Sequence, residues 1–147
     1  MTRPLPDIHD PGFAPFWAGT AAGELRIVFC SDCDQPRWPP RPVCGHCRSF
    51  ELDWRPVTPT GHLHTWTGVE HQTASDLPPP YVVGLVEIRE HPTVRLLGRI
   101  VGTDPSRLRV GLPLTARFDP VTDEVTLVNW APIDDHYADG DSEERRQ

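Results

Sequence analysis

The chain has 147 residues and a formal net charge of −7, with 37% hydrophobic and 24% charged residues. That length allows one domain of ordinary size, or a small metal module joined to a modest core, and leaves no room for a large enzyme. No run of about 18 apolar residues exists, which excludes a membrane-spanning helix, and the acidic balance argues against a general nucleic-acid binder.

Residues 1–24 read as an N-terminal arm and a short helix. The first ten residues are polar and proline-bearing, with no apolar core of a signal peptide, so a cytoplasmic protein is expected. Helical character is confined to residues 13–24, broken by Gly19 and Gly23, and supports one or two amphipathic turns with Phe16 and Trp17 as anchors.

Residues 25–58 carry the strongest signal. Residues 25–29 read as a strand entering Cys30-Ser-Asp-Cys33, and residues 50–54 as one leaving Cys44-Gly-His-Cys47. Between the pairs, Pro36, Pro39, Pro40 and Pro42 exclude a helix. Two Cys-x-x-Cys turns separated by ten residues can aim four thiolates at one tetrahedral ion, at about 2.3 Å each. A complete sulfur shell leaves no open position for substrate, so Cys30, Cys33, Cys44 and Cys47 are expected to hold a structural zinc ion. Two disulfides, an iron centre in the same cage, and His46 as a substitute ligand remain alternatives on ligand type. Glycine is usual after the second cysteine of such a turn, where the chain favours positive φ. Asp34 and Arg48 stand there instead, and a distorted second turn is expected. Four thiolates and a divalent ion leave a charge near −2, which Arg37, Arg41 and Arg48 are placed to offset.

From residue 59 the pattern changes to period two. Strands are expected over 62–71, 81–89, 94–101, 114–118 and 124–130, with Gly68, Gly84 and Gly98 inside them as marks of bulges or corners. On the first, Leu63, Thr65, Thr67 and Val69 should share one face, and His62, His64, Trp66 and Glu70 the other. The second is apolar throughout and reads as a strand covered on both sides. Five curved strands over 59–133 predict a mainly β protein that closes as a five-stranded OB barrel, with an open sandwich as the competing architecture. Residues 81–118 carry six arginines against Glu87, Glu90 and Asp104, a local excess of positive charge that attracts an anionic ligand. Residues 134–147 hold six acidic residues against Arg145 and Arg146 and read as an acidic, disordered tail.

Several short segments together resemble a known family. They are Pro15-Phe16-Trp17, Gly23-Glu24-Leu25 before the first cysteine pair, and Pro39-Pro40-Arg41-Pro42-Val43-Cys44 before the second. Beyond these come Gly61 with Thr65-Trp66-Thr67, the run Pro79-Pro80-Tyr81-Val82-Val83-Gly84-Leu85-Val86, and Gly111-Leu112-Pro113-Leu114. In their order and spacing they resemble the acyl-CoA-associated proteins that join a rubredoxin-like zinc ribbon to an OB barrel, long catalogued as a domain of unknown function. The resemblance implies a non-catalytic accessory subunit. Its partner would be a thiolase-like enzyme, including sterol side-chain retro-aldolases, or a MaoC-like hydratase, acting on acyl-CoA thioesters.

The chain itself has no G-x-S-x-G, H-E-x-x-H or phosphate-loop motif. Candidate ligand residues are Trp66, as a stacking platform, and Arg95, Leu97 and Arg99, which alternate on one strand so that charge flanks an apolar side chain. Candidate partner contacts are Phe16, Trp17, Trp38, Pro39 and Pro40. The alternative function is a single-stranded nucleic-acid-binding module, since OB barrels and zinc ribbons both serve that purpose.

Overall fold

The computed structural model describes residues 1–133; the expected acidic tail over 134–147 lies outside them. One helix, α1 (Ala14–Ala21), precedes eight strands: β1 (Leu25–Cys30), β2 (Pro36–Arg37), β3 (Leu52–Val57), β4 (Thr60–Val69), β5 (Tyr81–Ile88), β6 (His91–Ile100), β7 (Pro113–Pro120) and β8 (Thr126–Pro132). The first three form an antiparallel sheet in the order β2-β1-β3, and the last five close a barrel in the order β4-β5-β6-β8-β7. β6 and β8 are parallel, Ile100 opposite Trp130, and β4 closes the barrel against β7. This is the five-stranded OB topology predicted from the period-two segments.

α1 begins with Pro15 in its first turn, where a missing N–H costs nothing. It ends at Gly23, whose φ of 73° only glycine adopts freely, with Glu24 N–H bonded to Gly19 O at 2.8 Å. Thr20 is buried and its hydroxyl donates to Thr126 O at 2.8 Å, pinning the helix to β8. Two short additions escaped the sequence reading. β2 is a two-residue strand within the proline-rich stretch, and a 3₁₀ turn, Pro105–Arg107, is capped by the Asp104 carboxylate accepting from Ser106 N–H.

A single core spans both sheets. Leu25, Ile27 and Phe29 of β1 pack with Phe16 of α1 and with Leu63, Val86, Ile88, Leu96, Leu114 and Trp130 of the barrel. Trp130 is fully buried. Trp17, Trp38 and Trp54 pack against this cluster, and Trp38 meets Phe13, Phe16 and Trp54 ring to ring at 5.2–6.4 Å.

Two features of the barrel depart from the period-two reading. A β-bulge falls at His64, because Leu63 pairs with Val86 and Thr65 with Leu85, leaving one extra residue on β4. The bulge exchanges faces, so Thr65, Thr67 and Val69 do not share the inner face with Leu63. Two of the three strand glycines mark close approach and not the bulge: a Cβ on Gly84 would stand 2.6 Å from Ile100 Cδ1, and one on Gly98 2.7 Å from Trp130 Cδ1, whereas one on Gly68 would meet only Glu70 Oε1 at 3.8 Å. β5 also differs from the expected doubly covered strand. Val82, Val86 and Ile88 are buried inside, while Tyr81, Val83 and Leu85 are only half-buried, and among the described residues β5 makes its substantial contacts with β4 and β6.

Candidate metal centre and the open barrel face

The two cysteine pairs occupy two turns with the same hydrogen bonds. In the first, Cys30 N–H donates to Gln35 O at 3.0 Å and Asp34 N–H to Cys30 O at 2.8 Å; in the second, Cys44 N–H donates to Ser49 O at 2.8 Å and Arg48 N–H to Cys44 O at 3.0 Å. Asp34 and Arg48 take φ of 56° and 67°, the left-handed region expected at that position. The anticipated distortion of the second turn is therefore absent: both turns keep their geometry despite lacking glycine. Asp34 has a compensating role, since its carboxylate pairs with Arg55, which also bonds Asp53 at 3.0 Å. The Ser49 hydroxyl donates to Asp32 and ties one turn to the other.

The four Sγ atoms lie within 4.8 Å of one another. A tetrahedral ion with metal–sulfur bonds of about 2.3 Å requires sulfurs about 3.8 Å apart; Cys30–Cys47 at 3.5 Å and Cys33–Cys44 at 3.7 Å match it. A disulfide would need about 2.05 Å, and all four cysteines are free, which removes that alternative. His46 contributes its backbone N–H, 3.4 Å from Cys44 Sγ.

Of the three arginines expected to offset the cage charge, Arg37 does so directly. Its Nε and Nη2 donate to Cys44 Sγ at 3.1 and 3.0 Å. This pairing holds the guanidinium above its ordinary pKa. Arg41 and Arg48 are exposed, and among the described residues neither donates to a cage sulfur. Burial of Cys44 opposes its ionisation, but the amides of Cys47 and His46 together with Arg37 outweigh it and lower the metal-free thiol to about 5.

The matches to known proteins follow this division of the chain. Residues 17–53 match the model of the ChsH2 rubredoxin-like zinc ribbon domain, and residues 54–119 that of the ChsH2 C-terminal OB-fold domain. The chain belongs to the ChsH2 family. Its sulfur cage is accordingly a structural zinc site, and the iron alternative gives way to the zinc ribbon of the family. It is 33% identical over 132 residues to "Probable enoyl-CoA hydratase alpha subunit" of Thermomonospora curvata. It is 34% identical over 135 residues to the 3-oxo-4,17-pregnadiene-20-carboxyl-CoA hydratase alpha subunit of Mycobacterium tuberculosis. These alignments cover 88% and 90% of the chain but only 40% of each relative. Among solved structures, the Ltp2-ChsH2(DUF35) aldolase superposes with a TM-score of 0.79 at 30% identity, covering 88% of this chain and 98% of that one. A DUF35-family protein from Sulfolobus solfataricus shares the fold, with a TM-score of 0.57 at 16% identity, 84% of this chain and 87% of that one.

On the barrel, Arg95, Leu97 and Arg99 share the outer face of β6, opposite Glu87, Leu85 and Val83 of β5. Leu97 is 71% exposed. Arg95 Nε lies 3.7 Å from Glu87, which also takes His64 Nδ1 at 3.0 Å. Arg99 stacks its guanidinium 5.6 Å from the Tyr81 ring centroid, and its Nε is shielded from solvent without a hydrogen-bond partner.

Trp66 does not join these residues. It pairs with Gly84, whose missing side chain would point at Ile100 and Leu63, so Trp66 lies on the inner side at the barrel's end. The His64 bulge causes this exchange.

The expected partner residues lie near one another, Phe16 meeting Trp17 and Trp38 ring to ring, but they differ in exposure. Phe16 is 7% exposed and belongs to the core, which corrects its placement on a docking surface. Trp17 and Trp38 are half-buried against that core, and Pro39 is exposed. Pro40 lines a surface cleft of about 340 Å³ together with Arg41, Pro42, Leu52 and Trp54. Phe50, 73% exposed at the end of the second turn, was not singled out. Its place directly after the metal turn was the available signal. The His64–Glu87–Arg95 group was hidden because it depends on strand register.

Proposed function

We propose that this chain is a non-catalytic accessory subunit that supports a thiolase-like enzyme, including sterol side-chain retro-aldolases, or a MaoC-like hydratase acting on acyl-CoA thioesters. The observation that carries this reading is the superposition on nearly the whole of the ChsH2 chain of the Ltp2-ChsH2(DUF35) aldolase. Relatives named as hydratase alpha subunits support the thioester context, although the chain spans only 40% of their length.

The ribbon and barrel form one cored body with zinc as a structural brace. Chemistry on the thioester belongs to the partner. The outer face of β5 and β6 contacts the coenzyme A moiety: Arg95 and Arg99 meet its phosphates, and Leu97 with Leu85 and Val83 meets its pantetheine arm. The shielded, unpartnered Nε of Arg99 supports an anionic ligand there. Exposed Pro39 and half-buried Trp17, Trp38 and Pro40 remain the proposed partner contacts. Four cysteines placed as metal ligands and not joined as disulfides accord with a cytoplasmic location, and no described helix is long and apolar enough to cross a membrane.

Co-expression with a thiolase-like or MaoC-like subunit, followed by size-exclusion chromatography and a thioester assay, tests this reading. A stable complex, and turnover that needs the partner, are expected. A chain that stays alone beside every such enzyme, or that consumes a thioester unaided, would overturn it. Titration with coenzyme A and with single-stranded DNA in parallel separates the ligand reading from a nucleic-acid module, whose affinity would fall steeply with salt.

A further inference from the structure

Arg37 differs from the other cations near the sulfur cage. β2 pairs it with Val28 of β1, so its guanidinium is delivered from a strand. Both donating nitrogens converge on one sulfur, and Nη2 stands 4.0 Å from Cys33 Sγ. The receiving Cys44 is fully buried and also takes the His46 N–H. Cys47 is the opposite case: it is the exposed member of the four.

A thiolate that accepts several N–H bonds donates less electron density to an attacking group and is held in one orientation toward its metal. The guanidinium also cancels one unit of the cage's excess negative charge. We propose that Arg37 is a positioning residue for the zinc centre: its two-pronged bond locks Cys44 in place and leaves Cys47 as the sulfur at which the cage opens first. This rests on the zinc ribbon itself and not on the proposed partner enzyme.

The test uses the full zinc-loaded chain. Zinc released to a chromogenic chelator is followed with time for the parent and for Arg37→Met, Arg37→Lys, Arg41→Met and Arg48→Met. Arg37→Met should release zinc about 10–100-fold faster, the range typical for losing a hydrogen bond to a metal ligand. Arg37→Lys should also be faster, because a point charge cannot supply the fork. The other two variants should match the parent.

In parallel, a limiting amount of N-ethylmaleimide is added to the parent chain and adducts are mapped by mass spectrometry. Cys47 should be modified first. The proposal fails if Arg37→Met and Arg37→Lys hold zinc as the parent does, or if Arg41→Met and Arg48→Met release it as fast as they do. It also fails if Cys44 reacts before or together with Cys47. Should Arg37→Met not fold, the lysine variant and the order of modification in the parent decide.

Discussion

Replacing Gly98 by alanine places one methyl group where the barrel has no space. The new Cβ would lie 2.7 Å from Trp130 Cδ1, 2.8 Å from Val128 O and 2.9 Å from Trp130 Nε1. Ordinary contact needs about 3.5 Å or more, so either β6 or β8 must move by roughly 0.7 Å. Neither neighbour yields easily: Trp130 is fully buried, and the Val128 carbonyl belongs to the backbone of β8. Overpacking of this kind costs about 1–3 kcal/mol, and two rigid neighbours place this site near the upper end. For a chain of this size each kcal/mol is worth about 3–4 °C, so the melting temperature should fall by about 10 °C.

The assay is thermal unfolding by circular dichroism with zinc held constant. Gly68→Ala is the control, because its Cβ would meet only Glu70 Oε1 at 3.8 Å. It should change stability by less than about 0.5 kcal/mol. The reasoning is refuted if Gly98→Ala melts with the parent, or if Gly68→Ala is as damaging.

Stripping zinc, or Cys44→Ser, should lower one cooperative transition by about 10 °C or more and not release the ribbon alone, because β1 and the barrel share a core; calorimetry showing an unchanged barrel transition would contradict this. Arg48→Gly should stabilise by about 1 kcal/mol in urea titration by relieving a left-handed φ, whereas Asp34→Gly should gain little, as it forfeits the pair with Arg55. The Arg3 amide, donating to Asp76 at 2.8 Å, and then the Arg3 charge, hold the Asp76 carboxyl below the usual carboxylate range. That contact is therefore complete above about pH 4 and is lost as pH falls through the depressed value; the protection of the Arg3 amide, taken relative to its intrinsic exchange rate at each pH, should fall on acidification, and at neutral pH in Asp76→Asn. Arg95→Ala with Arg99→Ala should weaken coenzyme A binding by about tenfold at low salt, with a shallower salt dependence by calorimetric titration; equal affinity would remove the barrel face from the ligand reading.

The ion cage was legible because its information is local. Two short turns with fixed spacing carry both the ligand identities and the tetrahedral outcome, and even the left-handed positions at Asp34 and Arg48 follow from the turn. The five barrel strands were legible for a similar reason, since alternation reports one buried face. Strand ends shifted by a few residues, as at β3 and β6, because pairing and not propensity ends a strand.

What the residues alone could not decide was which side chains meet. One extra residue at His64 turns Trp66 away from Arg95, Leu97 and Arg99, because side-chain direction reverses with every step along a strand. Phe16 entered the core because α1 lies across β1 and β8, a placement fixed by long-range packing and by the Thr20 bond to Thr126. The sequence by itself determined a zinc ribbon followed by a barrel. Tertiary structure alone decided that both share one core, that Tyr81, Val83 and Leu85 of β5 are only half-buried among the described residues, and that Arg37 reaches Cys44, since each depends on contacts between strands that no local pattern encodes.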